Sequence, residues 1–407
     1  MKCRHCASPL THAFLDLGFS PPSNAYLTPA DLTRPERYYP LRTHVCESCW
    51  LVQTEDYTDY SELFNEQYAY FSSTSSSWLA HAAQFAQAMT RRLHLDHNSL
   101  VIEIASNDGY LLKNFVADDI PCLGIEPTTS TAMAAEALGI TVRRAFFDSR
   151  LAGKLASAGK QADLIVGNNV FAHVPDINDF AHGLKTALRS NGTITLEFPH
   201  LMRLIEHAQF DTIYHEHFSY LSLYTTQRIL HAAGLRVYDV EELSTHGGSL
   251  RVFACHANAP LPTSPSVPTL LAEEEVRGLR TLRPYQDFQA RSNRIKDDFL
   301  AFLIDQKHAG HQLAAYGAAA KGNTLLNYAG VKPDLLPFVC DAAKAKQGKF
   351  LPGSHIPILS PDSLRQCNLD FLIILPWNIA AEIKTQNLHL ADRGTRFVTA
   401  IPTLEIT

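Results

Sequence analysis

From Leu100 onward, short apolar runs of strand character alternate with helical segments, and this alternation narrows the fold more than any other feature. Leu100–Ile104, Cys122–Ile125, Leu164–Val166, Thr193–Phe198, Leu235–Val240 and Leu250–Cys255 read as strands. Strands separated by helices build a mostly parallel α/β sheet, because parallel neighbours need a crossover connection. The alternation resumes near the end of the chain, where Leu313–Tyr316, Leu335–Cys340 and Phe371–Leu375 read as a second, smaller sheet. Between the two, Pro260–Pro268 holds four prolines and reads as a linker that fits no helix or central strand. A charged helical region over Glu273–Asp305 follows it. Ahead of the first sheet, Trp78–Leu95 puts Trp78, Leu79, Ala82, Phe85, Ala86 and Met89 on one helix face. The expected organisation is a three-part α/β chain, with boundaries at 1–67, 68–259 and 260–407.

The cysteines constrain the first part. Four of eight fall in the first 49 residues as two Cys-x-x-Cys pairs, Cys3/Cys6 and Cys46/Cys49; the others are isolated. Each short pair lets two sulfurs reach one ion, and tetrahedral closure by four thiolates leaves no open position, so a Zn²⁺ held there is structural. A segment of this size with few large aliphatics gains folding free energy from such a site. A redox dithiol and unliganded thiols are the competing readings.

Charge and hydropathy exclude other classes. Lys plus Arg 35 against Asp plus Glu 41 gives 35 − 41 = −6, which disfavours phosphate-driven nucleic-acid binding. No run reaches the roughly 18 apolar residues of a membrane helix, and the N-terminal residues lack the apolar stretch of a secretory signal. A soluble, cytoplasmic protein without a membrane or nucleic-acid partner is expected. With no heptad seam, a monomer is expected.

Two clusters carry chemistry. Strand Leu100–Ile104 runs into Ala105-Ser-Asn-Asp-Gly109, an acidic strand end followed by a tight turn, as at a small-molecule crevice on the carboxyl edge of a sheet. The Gly-x-Gly-x-x-Gly spacing of dinucleotide sites is absent. Some twenty residues on, Gly124-Ile-Glu126-Pro127 ends the next strand in a carboxylate able to accept both hydroxyl protons of a ribose, and Asn168-Asn-Val-Phe-Ala-His173 closes the same edge. The second cluster is Tyr214-His215-Glu216-His217, flanked by apolar and aromatic residues. Three readings compete for it: a His-x-His metal pair, which lacks a third ligand at a diagnostic spacing; a satisfied polar core; and general acid–base chemistry.

Glu103-Ile-Ala-Ser-Asn-Asp-Gly109, Gly124-Ile-Glu-Pro127 and Asn168-Asn-Val-Phe-Ala-His173 resemble the S-adenosylmethionine site of class I methyltransferases, and more narrowly the branch that C-methylates nucleotide-linked deoxysugars. Ala105, Ser106 and Asn107 stand where the wider class has a glycine-rich loop, as is similar to the sugar branch. The resemblance covers essentially the whole chain. It implies a small zinc-binding N-terminal domain held by Cys3, Cys6, Cys46 and Cys49, a central class I methyltransferase Rossmann-like sheet, and a C-terminal second α/β Rossmann-like domain. It implies that Glu103, Ala105, Asn107, Gly109, Glu126, Asn168 and Asn169 bind the cofactor. Tyr214-His-Glu-His217 resembles the family's Tyr-His-Glu-His signature, which implies His217 as base, Glu216 as its partner, and Tyr214 with His173 as ketone or oxyanion contacts. His173 taken alone reads as a core or helix-cap residue.

Tyr68 and Tyr70 lie in an aromatic and serine-rich stretch, Tyr68–Ser77, that reads unaided as an exposed loop; the resemblance implies that they and His215 reach the sugar. Leu313–Thr324 runs from strand to small-residue turn to helix, and Lys321 adds positive charge there. Close strand–helix packing explains this motif equally well; the resemblance implies that Lys321 and Asn323 serve the nucleotide of the substrate. The expected activity is S-adenosylmethionine-dependent C-methylation of a nucleoside-diphosphate 4-keto-deoxysugar, thymidine-linked, through deprotonation of C3 beside the ketone. A nucleotide-sugar epimerase or isomerase using the same enolate, and a non-catalytic sugar-nucleotide binding protein, are the alternatives.

Overall fold

The computed structural model of the chain describes residues 1–57 and 71–407. Among them β1 (His12–Ser20), β2 (Tyr39–Val45) and β3 (Val52–Thr54) form an antiparallel meander beside the cysteine cluster. The middle sheet uses β4 (Val101–Ile104), β5 (Cys122–Ile125), β6 (Val142–Arg143), β7 (Ala162–Asn168) and β8 (Leu188–Pro199). The chain then leaves this sheet to place β9 (Ser219–Tyr220) against β3 of the head, and returns for β10 (Leu235–Leu243) and β11 (Ser249–His256). The middle order is β10-β11-β8-β7-β4-β5-β6, with β11 alone antiparallel to its neighbours. All four residues of β4 are buried, as a strand covered on both faces requires.

The third sheet runs β12 (Leu313–Tyr316), β13 (Val339–Cys340), β14 (Ile358–Leu359), β15 (Phe371–Ile374), β16 (Arg396–Thr399) and β17 (Glu405–Ile406), in the order β14-β13-β12-β15-β16-β17. It is parallel up to β16, and the strands wind away from β12 in both directions, so a crevice opens at its carboxyl end. The expected strand Leu335–Cys340 shortens to its last two residues. Among the described residues no helix is long and apolar enough to cross a membrane.

The proline-rich stretch differs from its expected reading only at its end, since residues 260–264 carry neither helix nor strand. A helix begins at Ser266, with Pro265 just before it and Pro268 in its first turn, where backbone N–H groups have no intrahelical partner to lose. Its Val267 and Leu270 sink into the core of the middle sheet. Its buried Glu274 carboxylate accepts from the amides of Leu223 (2.6 Å) and Tyr224 (2.9 Å) and pairs with His200 Nε2 at 2.7 Å. That carboxylate caps the helix Leu223–Ala232 and fastens the start of the third segment to the second.

The head is wedged between the other two parts. Cys3, Cys46, Cys49 and Leu51 pack into the middle core, while Phe14, Leu15, Leu41 and Val52 share a core with Phe288, Phe299, Leu313 and Phe371. Each Cys-x-x-Cys turn is closed by a left-handed residue directly after its second cysteine, Ala7 (φ 60°) and Trp50 (φ 62°). The four sulfurs lie within 4.8 Å of one another, with Cys3–Cys49 and Cys6–Cys46 at 3.5 Å. Tetrahedral Zn–S bonds of about 2.3 Å put sulfurs roughly 3.8 Å apart, so the thiol set fits the ion. Inductively coupled plasma mass spectrometry should find one zinc per chain. Cys46→Ser should lose the ion and the amide-exchange protection of β1–β3 together; a zinc-free variant with an intact head would contradict the structural role.

Candidate active site

At the end of β4 the backbone takes a left-handed conformation three times in five residues: Ala105 (φ 57°), Asn107 (φ 49°) and Gly109 (φ 77°). Gly109 is required, because a Cβ there would collide with Ile140. The loop folds over the ends of β4 and β5 as a concave floor. Glu103 is buried beneath it, and its carboxyl is pushed well above the usual carboxylate range by burial, with Asp108 and Glu126 adding repulsion. Glu126 accepts from the amides of Asn107 (3.0 Å) and Thr128 (2.8 Å), so its carboxylate braces the loop as well as facing the crevice.

Several buried polar atoms here have no partner among the described residues: Glu103 Oε2, Asp108 Oδ1, and both side-chain atoms of Asn168. Unsatisfied groups of this kind cost about 1–3 kcal/mol each when nothing bonds them. Three neighbouring carboxylates and an unpaired amide fit a ligand that brings positive charge and hydrogen-bond donors. Asn107 Oδ1 and Asp108 Oδ2 accept from the amides of Ser72 (3.0 Å) and Ser73 (3.1 Å), which seats the serine stretch on the crevice rim. Tyr68 and Tyr70, expected to touch substrate, lie outside the described residues.

Part of the crevice wall was not legible in the sequence. Trp78 stacks on His81 (4.9 Å) and Tyr110 (5.9 Å) and tilts against His246 (5.4 Å). His81 pairs with Glu197 at 2.9 Å, and the fully buried Glu197 also takes Arg251 at 2.8 Å. The sequence pattern places Trp78 on an apolar helix face and gives no signal for His81, and His246 lies in a Gly-Gly turn without a recognisable motif. Two neighbouring glycines after a histidine were the available signal.

Tyr214, His217 and His173 come together. The His217 ring lies 4.0 Å from that of Tyr214 and 4.6 Å from that of His173, centroid to centroid. His217 Nδ1 donates to the Thr212 carbonyl at 2.9 Å, and His173 Nδ1 to the Glu216 carbonyl at 2.7 Å. Both rings are held neutral. Burial lowers His217 well below the ordinary imidazole range, helped by His173, Lys321 and His246, and burial lowers His173 to about 4.

Four expected placements differ. The Glu216 carboxylate does not pair with His217; Oε1 accepts from Asn24 Nδ2 (3.2 Å) and Asn24 N (3.3 Å) of the head, and burial pushes its carboxyl up. His215 turns to the head, bonding Pro40 O at 3.2 Å and meeting Tyr39 edge-on. The same short turn sends His217 to His173 and Tyr214, and Glu216 and His215 to the head. Asn323 Nδ2 bonds Ser23 O at 3.2 Å, and so joins the third segment to the head. Lys321 Nζ turns away from its own strand–helix turn and reaches across to His246 O and Asn378 Oδ1, both 3.3 Å, above the Trp377 ring. Asp211, which also binds Trp377 Nε1 at 2.8 Å, is raised to about 6 by burial, with Lys321 opposing.

A family model described as "C-methyltransferase C-terminal domain" matches residues 244–402, one described as "Methyltransferase domain" matches 78–240, and one described as "Putative zinc binding domain" matches 3–64. C-methyltransferase NovU of Streptomyces niveus is 33% identical over 401 residues, spanning 98% of this chain and 95% of its own. The chain belongs to the S-adenosylmethionine-dependent C-methyltransferases. Among solved structures, the magnesium protoporphyrin IX methyltransferase ChlM of Synechocystis PCC 6803 with bound SAM aligns with 44% of this chain and 81% of its own, at 14% identity and a TM-score of 0.33. The glycopeptide N-methyltransferase MtfA aligns with 43% and 96%, at 13% identity and a TM-score of 0.34. In this C-methyltransferase the crevice of β4, β5 and β7 meets the needs of a sulfonium cofactor with a cationic amino group and a diol.

The neutral imidazoles carry a pH signature. His173 binds a proton near pH 6.5 when unfolded and near 4 when folded, so its contribution is complete above 6.5 and is lost as pH falls toward 4. The raised carboxyls of Glu103, Glu216 and Asp211 act in the opposite sense, so the test is a difference. Urea midpoints between pH 7 and 5 should fall less steeply for His173→Asn than for the parent; equal slopes would remove the buried-neutral assignment.

Proposed function

We propose that this C-methyltransferase acts on a nucleoside-diphosphate 4-keto-deoxysugar, thymidine-linked, and methylates the carbon beside the ketone. The observation that carries this reading is the tautomer of His217. With its only proton committed to Thr212 O, the neutral ring offers Nε2 as a lone pair, beside Tyr214 and at the meeting point of all three segments. Methylation at carbon, unlike that at oxygen or nitrogen, needs an unactivated C–H proton removed, and a neutral imidazole with an aimed lone pair is suited to that task.

The cofactor, when bound, supplies a methyl group already activated on sulfur, so no metal is required at this centre. Glu103 and Asp108 would face its amino group, Glu126 its ribose and Asn168 the region of the sulfonium. Tyr214 is suited to orient the sugar. Lys321, buried, held below the ordinary lysine range by burial and borne on the third sheet, brings a positive charge to the substrate side, as expected where a diphosphate sugar approaches. Glu216 acts through the fold: its side chain ties the catalytic segment to Asn24, and its carbonyl sets His173.

Incubating the protein with a thymidine-diphospho-4-keto-deoxysugar and S-adenosylmethionine should give one added methyl by mass spectrometry, with loss of the C3 proton by NMR. His217→Asn should lower kcat by at least about 10²-fold, the usual scale of a lost general base, with cofactor affinity nearly unchanged. Unchanged kcat would remove the base assignment, and an O-methyl product would remove the carbon reading.

A further inference from the structure

We propose that His246, on the turn between β10 and β11, donates the hydrogen bond that holds the substrate's carbonyl oxygen while the neighbouring carbon is deprotonated. The proposal rests on the ketone reading above and adds to it the residue that carries the developing negative charge.

Four imidazoles line the crevice; His81 commits Nε2 to Glu197, and the other three are wired in two different ways. A neutral ring has one N–H. His217 and His173 both commit theirs to backbone carbonyls through Nδ1, so neither has an N–H left to give. A lone pair can take a proton but cannot hold an oxyanion. His246 is wired in reverse. Its Nε2 lies 3.2 Å from the amide nitrogen of Asn169, which donates, so Nε2 accepts and the ring proton sits on Nδ1. Among the described residues no acceptor takes that Nδ1 proton, and the ring remains partly accessible.

The backbone is strained to put it there. His246 is left-handed at φ 55°, a conformation that costs a residue with a Cβ, and Gly247 and Gly248 follow at φ 86° and 116°. A side chain on Gly247 would collide with Trp377, and one on Gly248 with Arg203. The turn is pinned by Gln209 Nε2 on Gly247 O (2.7 Å), Thr245 Oγ1 on Glu197 (3.2 Å) and Lys321 Nζ on His246 O (3.3 Å), with Trp78 against the ring. Across the sheet, Glu126 ends β5, whereas Asn169 follows β7 and His246 comes from beyond β8. His246 therefore lies away from the ribose end of the cofactor crevice and close enough to His217 to depress it. Burial and the nearby Lys321 lower His246 itself to about 4, which keeps the ring a neutral donor.

The step balances. His217 Nε2 takes the C–H proton, and the bonding pair moves through the carbon–carbon bond to the carbonyl oxygen, where the His246 N–H donates without transferring. The carbonyl re-forms as the carbon takes the methyl and the carbon–sulfur pair returns to sulfur; the proton on His217 leaves to water.

The test uses the full zinc-loaded chain, S-adenosylmethionine and a thymidine-diphospho-4-keto-deoxysugar. Removing one oxyanion donor typically costs about 10²–10³ in kcat, and His246→Leu should lose that much with zinc content and cofactor Kd unchanged. His246→Asn sets an amide N–H near the Nδ1 position and tolerates the left-handed backbone, so it should recover at least about tenfold of the loss; His246→Gln, with its amide near Nε2, should not. Nitrogen-15 spectra of the free protein should put the His246 proton on Nδ1. A proton on Nε2, full kcat in the Leu variant, or an Asn variant no better than Leu would each overturn the proposal while the parent still methylates the probe. A parent that neither exchanges the C3 proton nor methylates the probe fails at the ketone reading, and the proposal falls with it.

Discussion

The site depends on how the backbone of one short segment is shared between two sheets. After Thr212 the chain leaves the methyltransferase sheet, and Thr54 of the head donates to it twice: its N–H to Phe218 O (3.1 Å) and its hydroxyl to His217 O (2.6 Å). From the other side Phe218 N donates to Ala172 O at 2.8 Å, one residue before His173. His217 thus hangs from a strand that belongs to the head but is encoded in the middle of the methyltransferase domain. The zinc cluster, distant from the chemistry in sequence, fixes the sheet from which the imidazole is suspended. The third segment closes the arrangement through Thr324 Oγ1 on Ile213 O (3.1 Å) and Lys321 on His246.

Burial then sets the charge states. The cofactor side collects carboxylates with little cationic company, and the reacting side collects imidazoles that burial keeps neutral. On the proposed reading a cationic cofactor would relieve the first set, and neutral rings are what proton abstraction from carbon would need from the second. Each imidazole's role follows from which of its nitrogens the fold has already occupied.

Much of this was legible because it is local. The strand ends at Glu103, Glu126 and Asn168 follow from apolar runs stopped by polar residues, and the Cys-x-x-Cys spacing announces its own geometry. What the sequence left hidden is long-range. Nothing near Glu216 signals that its carboxylate binds Asn24, some 190 positions earlier in the chain. His215 and His217 look equivalent until the backbone assigns one to the head and the other to the crevice. Asn323 reads as a ligand until Ser23 claims its amide. Of the four prolines that read as a break, Pro260 and Pro262 do lie in a stretch without helix or strand, whereas Pro265 and Pro268 mark where a helix begins, since a first turn forgives missing N–H groups.

If His217 is the base, as proposed, the head holds it for the chemistry and not for cofactor binding. Thr54→Val tests it, because it conserves volume and removes the hydroxyl that bonds His217 O and meets the Tyr220 phenol. One lost buried hydrogen bond of about 1–1.5 kcal/mol should lower kcat roughly tenfold, with zinc content and cofactor Kd as in the parent. An unchanged kcat, or a loss of cofactor affinity in step with kcat, would show that the head does not hold His217 for the chemistry.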